Sequence, residues 1–176
     1  MIINETKKED NLSICRCDVT DRKSISDAGK IARQRFGNVT ILINNAGIVA
    51  GKPLLEVSDF MAKKTIEVNT IGCIYTIKEF LPDMFNTNKG HIVNIASVAS
   101  LVGAPSMGEY CASKAGLFMA DECVRQEIYK FKKNIKTTCI CPFLINTGMF
   151  EGSKGILLSN LLDQHYVVWR IITAIR

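Results

Sequence analysis

Apolar positions along this chain change their period repeatedly, from short unbroken runs to long segments in which every third or fourth residue is apolar. The short runs predict buried strands and the long segments predict amphipathic helices. Residues 12–19 (LSICRCDV) read as a strand, and residues 21–36 as a helix with Ile25, Ala28, Ile31, Ala32 and Phe36 on one face, stopped by Gly37. Residues 40–44 (TILIN) form a second strand, apolar enough to predict a parallel strand covered on both faces. Ser58 caps a long helix, residues 58–85, that carries Phe60, Met61, Ile66, Ile71, Ile74, Ile77 and Leu81 and slackens at Pro82. A third strand at 91–96 (HIVNIA), a helix at 107–132 and a fourth strand at 135–141 (IKTTCIC) follow. Residues 143–155 read as a loop, and a short amphipathic tail closes the chain with Leu161, Leu162, Val167, Val168, Ile171 and Ile172.

Strand and helix alternating in this order predict an α/β fold, a Rossmann-like doubly wound parallel sheet whose ligand crevice lies beyond the carboxyl ends of the strands. Those ends carry Asp18, then Asn44-Asn45-Ala46-Gly47, then Ser97, then Pro142 through Thr147. Small polar and turn residues delivered by four strands to one rim predict a binding site.

Composition narrows the class. The 176 residues hold 22 Lys and Arg against 17 Asp and Glu, a net charge of +5, and are 47% hydrophobic, as expected of one globular domain. The basic residues are interleaved with acids, which argues against a nucleic-acid partner. The longest low-charge stretch, residues 92–107, is interrupted by Gly103 and Pro105 and falls short of the ~18 apolar residues of a spanning helix. The first ten residues are too polar for a signal or transit peptide. Seven cysteines with no export signal imply reduced thiols and a cytosol-facing protein. Cys15/Cys17 and Cys139/Cys141 lack the spacing of a zinc knuckle, so they read as buried small hydrophobes and no metal is expected.

The candidate chemistry lies in Tyr110-Cys-Ala-Ser-Lys114. An i, i+4 spacing sets phenol and ammonium on one helical face. A fixed cation favours the phenolate and lowers the tyrosine pKa from ~10, which suits acid/base work. Ser97, at the end of the preceding strand, is placed to hydrogen-bond a substrate oxygen beside Tyr110. Taken singly, each residue has a plainer reading: Tyr110 packed on a lysine stem, Asn44 and Asn45 capping a strand, Asn69 facing solvent in mid-helix, Thr147 capping a turn.

Asn-Asn-Ala-Gly at 44–47, Asn69 in a Val-Asn-Thr context, Ser97 and Tyr110-x-x-x-Lys114 stand in the order and spacing of the short-chain dehydrogenase/reductase family, which the chain resembles from Asp18 to about Thr147. The segments GHIVNIASVAS, IKTTCICPFLINTGMF and VNTIGCIYTIKEFLPDM resemble its 17-beta-hydroxysteroid dehydrogenase and epidermal retinol dehydrogenase branch. The resemblance implies an oxidoreductase that passes a hydride between NAD or NADP and an alcohol or carbonyl substrate, a steroid- or retinoid-like lipid. It implies Tyr110 as acid/base, Lys114 as the cation that lowers its pKa and bonds the nicotinamide ribose, Ser97 as orienter of the substrate oxygen, and Asn69 as holder of a relay water. It places Asp18 and Val19 at the adenine, Asn45, Ala46 and Gly47 along the cofactor edge, and Pro142 and Thr147 against the nicotinamide and phosphates. Pro142-Phe143 stands where the family commonly has Pro-Gly; His91 and His165 fall in no motif. The resemblance further implies a homodimer through helices 58–85 and 107–132. It also implies an endoplasmic reticulum or lipid-droplet location, through an N-terminal anchor that this sequence does not contain.

A dinucleotide site needs a glycine-rich turn after the first strand, and the first glycine here is Gly29, inside a helix. By the resemblance, residues 1–176 are expected to be a single partial NAD(P)-binding domain, lacking the first two strands with their glycine-rich turn and the last strand. In the strand order 3-2-1-4-5-6, residues 12–19 would then stand about 14 Å from residues 40–44 at ~4.8 Å per strand. An inactive fragment that associates with a full-length subunit, and a 3-oxoacyl carrier-protein reductase-like enzyme, are the alternative readings. The choice between NAD and NADP is not legible, because the residue that would contact the ribose follows the second strand.

Overall fold

The computed structural model describes residues 11–146 and 161–175. Helix α1 (Arg22–Phe36) begins at Asp21, whose carboxylate accepts from the Lys23 N–H, and ends at Gly37 with φ +77°, a conformation that costs a glycine little. Strand β1 (Ile41–Asn44) follows, then helix α2 (Asp59–Ile66), capped by the Ser58 hydroxyl on the Met61 N–H. A π-helical turn (Glu67–Ile71) joins α2 to α3 (Gly72–Thr87). Strand β2 (Gly90–Ile95), helix α4 (Gly108–Lys130), strand β3 (Ile135–Ile140) and helix α5 (Gln164–Ile175) complete the order.

The strands form one parallel sheet in the order β1-β2-β3, with Leu42 level with Ile92 and Ile92 with Thr137. Because side chains alternate across a sheet, Leu42, Ile92 and Ile135 share one face. There they pack with Ile77 and Met84 of α3 and Ile128 of α4 in the main core. Helix α1 lies beyond α3, held by Arg33 to Glu79 at 2.8 Å and to Asp83 at 2.6 Å. His91 points to the opposite face, where it bonds the Thr138 hydroxyl at 2.8 Å and the backbone of Ile175, so α5 covers that side over β2 and β3.

Toward the carboxyl ends of the strands the core turns polar. The Thr76 hydroxyl donates to Asn44 Oδ1 (2.6 Å), Asn44 Nδ2 to Asn94 Oδ1 (2.8 Å), and Asn94 Nδ2 to Asp121 Oδ1 (2.6 Å). Thr137 then closes the row on Asp121 Oδ2 at 3.2 Å. Buried amides satisfied in this chained way fix the register of the strands they cross.

Three expectations are corrected. Residues 12–19 are not a strand; they run unpaired, with Ile14 64% exposed and Cys15 and Cys17 exposed rather than buried. An apolar run becomes a strand only where a ladder partner receives its N–H and C=O groups, and none of the described strands reaches it. Strand β1 is parallel but covered on one face only: Leu42 and Asn44 are buried while Ile41 and Ile43 are 47% and 49% exposed. The long helix does not run as one regular α-helix from 58 to 85; it is interrupted by the π turn at Glu67–Ile71 and continues past Pro82 to Thr87. The proline is tolerated because the carbonyl it frees belongs to the exposed Lys78, which water can satisfy.

Candidate active site

The carboxyl ends of β2 and β3 meet through two bonds beyond the ladder, Ala96 N–H to the Ile140 carbonyl (2.8 Å) and Val98 N–H to the Pro142 carbonyl (3.0 Å). These fix Ser97 between them. Ser97 caps the short 3-10 turn Val98–Ser100 by accepting from the Ala99 N–H, and its hydroxyl also bonds the Tyr110 side chain. Tyr110 and Lys114 project from the first turns of α4, both buried, with the ammonium 5.7 Å from the phenol ring centroid. The lysine donates to the Ile95 carbonyl at 2.6 Å. No ion pair reaches it among the described residues.

Asn69 lies in the π-helical turn, fully buried, which removes the solvent-facing reading. Single π turns recur at functional sites, because one inserted residue re-aims a side chain. Here Asn69 Oδ1 accepts from the Ile48 N–H (2.8 Å), while Nδ2 donates to the Ile48 carbonyl (2.9 Å) and to Ser113 Oγ (2.9 Å). Its amide thus ties the loop after β1 to α4. Ser113 in turn donates to the Tyr110 carbonyl at 2.7 Å, and Ser100 to the Lys114 carbonyl at 3.0 Å. Sequence reasoning missed Ser113 and the Ile95 carbonyl. Ser113 had one signal, its place inside the Tyr110-to-Lys114 turn, but a backbone acceptor has none.

Electrostatics correct one expectation. Burial pushes the Tyr110 phenol up from 10.0, and the Ser97 hydrogen bond opposes this only in part, so the net shift is upward rather than downward. Burial likewise pushes Lys114 down from 10.5, against weaker opposing influences of Cys73, Cys139 and Cys141. Those thiols belong to one cluster with Ala96 and Leu117; burial raises Cys73 to about 11 and Cys139 to about 12, so both are neutral at pH 7. The ammonium therefore sits in an apolar surround with one protein acceptor and donors to spare.

A cavity of about 880 Å³ opens beside these residues. It brings together Asn45, Gly47, Ser97, Tyr110, Lys114 and Pro142; Val49, Val102, Met107 and Phe143 are among its apolar walls. Its far wall is tied down where Leu162 bonds the Leu144 carbonyl and Asn146 bonds the Leu162 carbonyl. Ala46 does not line the cavity, and Asn69 lies behind its wall. Asp18 and Val19 lie apart from it: the Asp18 carboxylate is exposed and engaged by Thr20, whose bonds hold its pKa below 3.8, and Val19 packs on Gly72. Thr147 falls outside the described residues.

A nicotinamide coenzyme fits one end of this arrangement and not the other. Lys114 supplies unspent donors, and a Cβ on Gly47 would stand 3.5 Å from both Lys114 Nζ and Asn69 Oδ1, so the backbone there lies close against the two polar groups. No glycine-rich turn at a helix N-terminus exists among the described residues to cradle a pyrophosphate.

A parallel sheet flanked by helices, with a buried Ser-Tyr-Lys group at the carboxyl ends of its strands, defines the Rossmann-like class. Comparison with known proteins sharpens this. Residues 1–155 match the family model described as short chain dehydrogenase, and the chain belongs to that family. It is 36% identical to short-chain dehydrogenase/reductase family 16C member 6 of Bos taurus, covering 99% of this chain and 61% of the relative. It is 41% identical to epidermal retinol dehydrogenase 2 of Mus musculus, covering 90% and 52%. A short chain dehydrogenase/reductase from Burkholderia phymatum, solved in complex with NAD, superposes with a TM-score of 0.75 at 29% identity, covering 92% and 60%. The chain thus spans between half and two thirds of the length of these relatives. No helix among the described residues is long and apolar enough to cross a membrane.

Proposed function

We propose that this chain carries the reaction centre of an NAD(P)-dependent oxidoreductase that interconverts a lipophilic alcohol and its carbonyl compound. The observation that carries this reading is the convergence of Ser97, Tyr110 and Lys114, all buried, on one wall of a largely apolar cavity. In this reading the Ser97 hydroxyl orients the substrate oxygen, and Tyr110 moves a proton to or from that oxygen. A phenol held above its ordinary pKa stays protonated at neutral pH, the form that donates to a carbonyl. Lys114 offers its remaining N–H donors to ribose hydroxyls, and Asn69 keeps the loop bearing Asn45, Ala46 and Gly47 against that wall. Pro142 bounds the nicotinamide end; Asp18 and Val19 serve the adenine end, and Thr147 the phosphates. When bound, the coenzyme supplies the hydride donor or acceptor. The valine, methionine and phenylalanine walls favour a steroid- or retinoid-like substrate, and the relatives' names are consistent with a retinol-like alcohol. Exposed Phe60 on α2 and Met119 and Tyr129 on α4 favour a homodimer through these helices.

Titration of the 176-residue protein with NADH and NADPH, followed by nicotinamide fluorescence, tests the reading. Saturable enhancement supports it and a flat titration overturns it for this chain. A second reading, a chain that acts only by associating with a full-length subunit, is favoured by the lack of a pyrophosphate cradle among the described residues. That reading expects a flat titration together with co-elution on gel filtration.

A further inference from the structure

Glu109 precedes Tyr110 and is 5% exposed, with no ion-pair partner among the described residues. Its Oε1 accepts from the Ala50 N–H at 3.0 Å, whereas Oε2 is buried and has no hydrogen-bond partner. Among the described side chains one other polar atom is in this condition, Oγ1 of the fully buried Thr65. A buried oxygen left unpaired costs free energy that a native fold rarely leaves uncompensated.

The helix register brings the two together. The run from α2 through the π turn to α3 lies alongside α4 in the same direction. Asn69 meets Ser113, 44 residues further on, and Cys73 packs with Leu117 at the same offset. Thr65, one turn before Asn69, therefore stands against Glu109, one turn before Ser113. A hydroxyl can donate and accept, a carboxylate oxygen accepts, and a single buried water satisfies both.

We propose that Thr65 and Glu109 hold one buried water between them, and that the pair is a positioning device for the site. With Oε2 anchored through the water, Oε1 is fixed on Ala50 and holds residues 45–51 against the turn that carries Tyr110. The loop is then stapled twice, at Ile48 by Asn69 and at Ala50 by Glu109, immediately before Gly51 with φ +67°. The inference rests on the functional reading in one respect, that this loop is the cofactor edge.

Residue-resolved amide hydrogen exchange on the full chain tests it, with the Ile48 amide, held by Asn69, as the internal control. Glu109→Ala is expected to speed exchange at Ala50 by about tenfold, the loss of one hydrogen bond to a buried acceptor, while Ile48 changes little. Glu109→Gln, which keeps an acceptor for Ala50, restores protection. Thr65→Val speeds Ala50 by a smaller factor and adds nothing in the Glu109→Ala background, since it acts only through the carboxylate. Unchanged exchange at Ala50 in Glu109→Ala overturns the clamp, and a fully additive Thr65→Val effect overturns the pairing. If Glu109→Ala loosens both amides together, the Glu109→Gln and Thr65→Val arms decide. A flat NADH titration of the wild-type chain beside selective loss at Ala50 would sink the cofactor reading and leave the clamp standing.

Discussion

Two stretches of similar apolar character, residues 12–19 and residues 90–95, end in opposite states. The second is the central strand β2, with Ile92, Val93 and Asn94 fully buried between β1 and β3. The first lies unpaired, with Ile14, Cys15 and Cys17 exposed. The difference lies not in intrinsic preference but in neighbours: β2 has a ladder on each edge, while residues 12–19 have none among the described residues. The site follows the same division, since Ser97, Tyr110, Lys114 and Asn69 hang on β2 and the helices beside it, whereas Asp18 and Val19 hang on the unpaired stretch.

The sharpest test of that division is chemical. Tyr110→Phe should lower turnover of an alcohol substrate by about 10²- to 10⁴-fold while coenzyme binding, read by fluorescence, persists; undiminished turnover would remove Tyr110 from the chemistry. Next in size, Ile92→Ala should cost about 2–5 kcal/mol in urea unfolding, and a cost near zero would mean that β2 is not the packing centre. Asn69→Ala strips the buried partners from Ile48 and Ser113 and should cost about 2–3 kcal/mol, together with weakened coenzyme binding.

A smaller effect depends on pH. Burial raises the Asp121 carboxyl above 3.8 in the folded state. Its contribution is therefore fully present below pH 3.8 and is lost as pH rises through the folded pKa. Asp121→Asn keeps the bonds to Asn94 and Thr137 without a titrating proton. The difference in unfolding free energy between wild type and variant should thus shift in the variant's favour from pH 3.5 to pH 7, and a flat difference would contradict it. At the bottom of the scale, Ile14→Ala should change stability by no more than about 0.5 kcal/mol; a core-sized loss would show that residues 12–19 are packed in solution.

The helices and the three paired strands were legible because each carries its own period, and α1 also carries its stop at Gly37. The grouping of Ser97, Tyr110 and Lys114 at the candidate site was legible because Tyr110 and Lys114 lie one helical turn apart and Ser97 sits at a strand end. The fate of residues 12–19 was not, because pairing depends on segments far along the chain. The open face of β1 was not either, since Ile41 and Ile43 are apolar whether or not anything lies on them. The π turn escaped because a 3.6-residue pattern with one inserted residue still reads as a helix across Glu67–Ile71. The phenol's raised pKa escaped because spacing brings the cation near while only burial sets how each charge is solvated.

The amino-acid sequence alone thus determined the βαβ order, the parallel sheet and the Ser97, Tyr110 and Lys114 set, all properties of local periodicity and short spacings. The tertiary structure decided which apolar runs become strands, that Asn69 faces Ile48 and Ser113 rather than water, and that Tyr110 and Lys114 are both held toward neutrality. Those outcomes depend on desolvation and on hydrogen-bond partners more than 20 residues distant in the chain, and neither can be read from a local pattern.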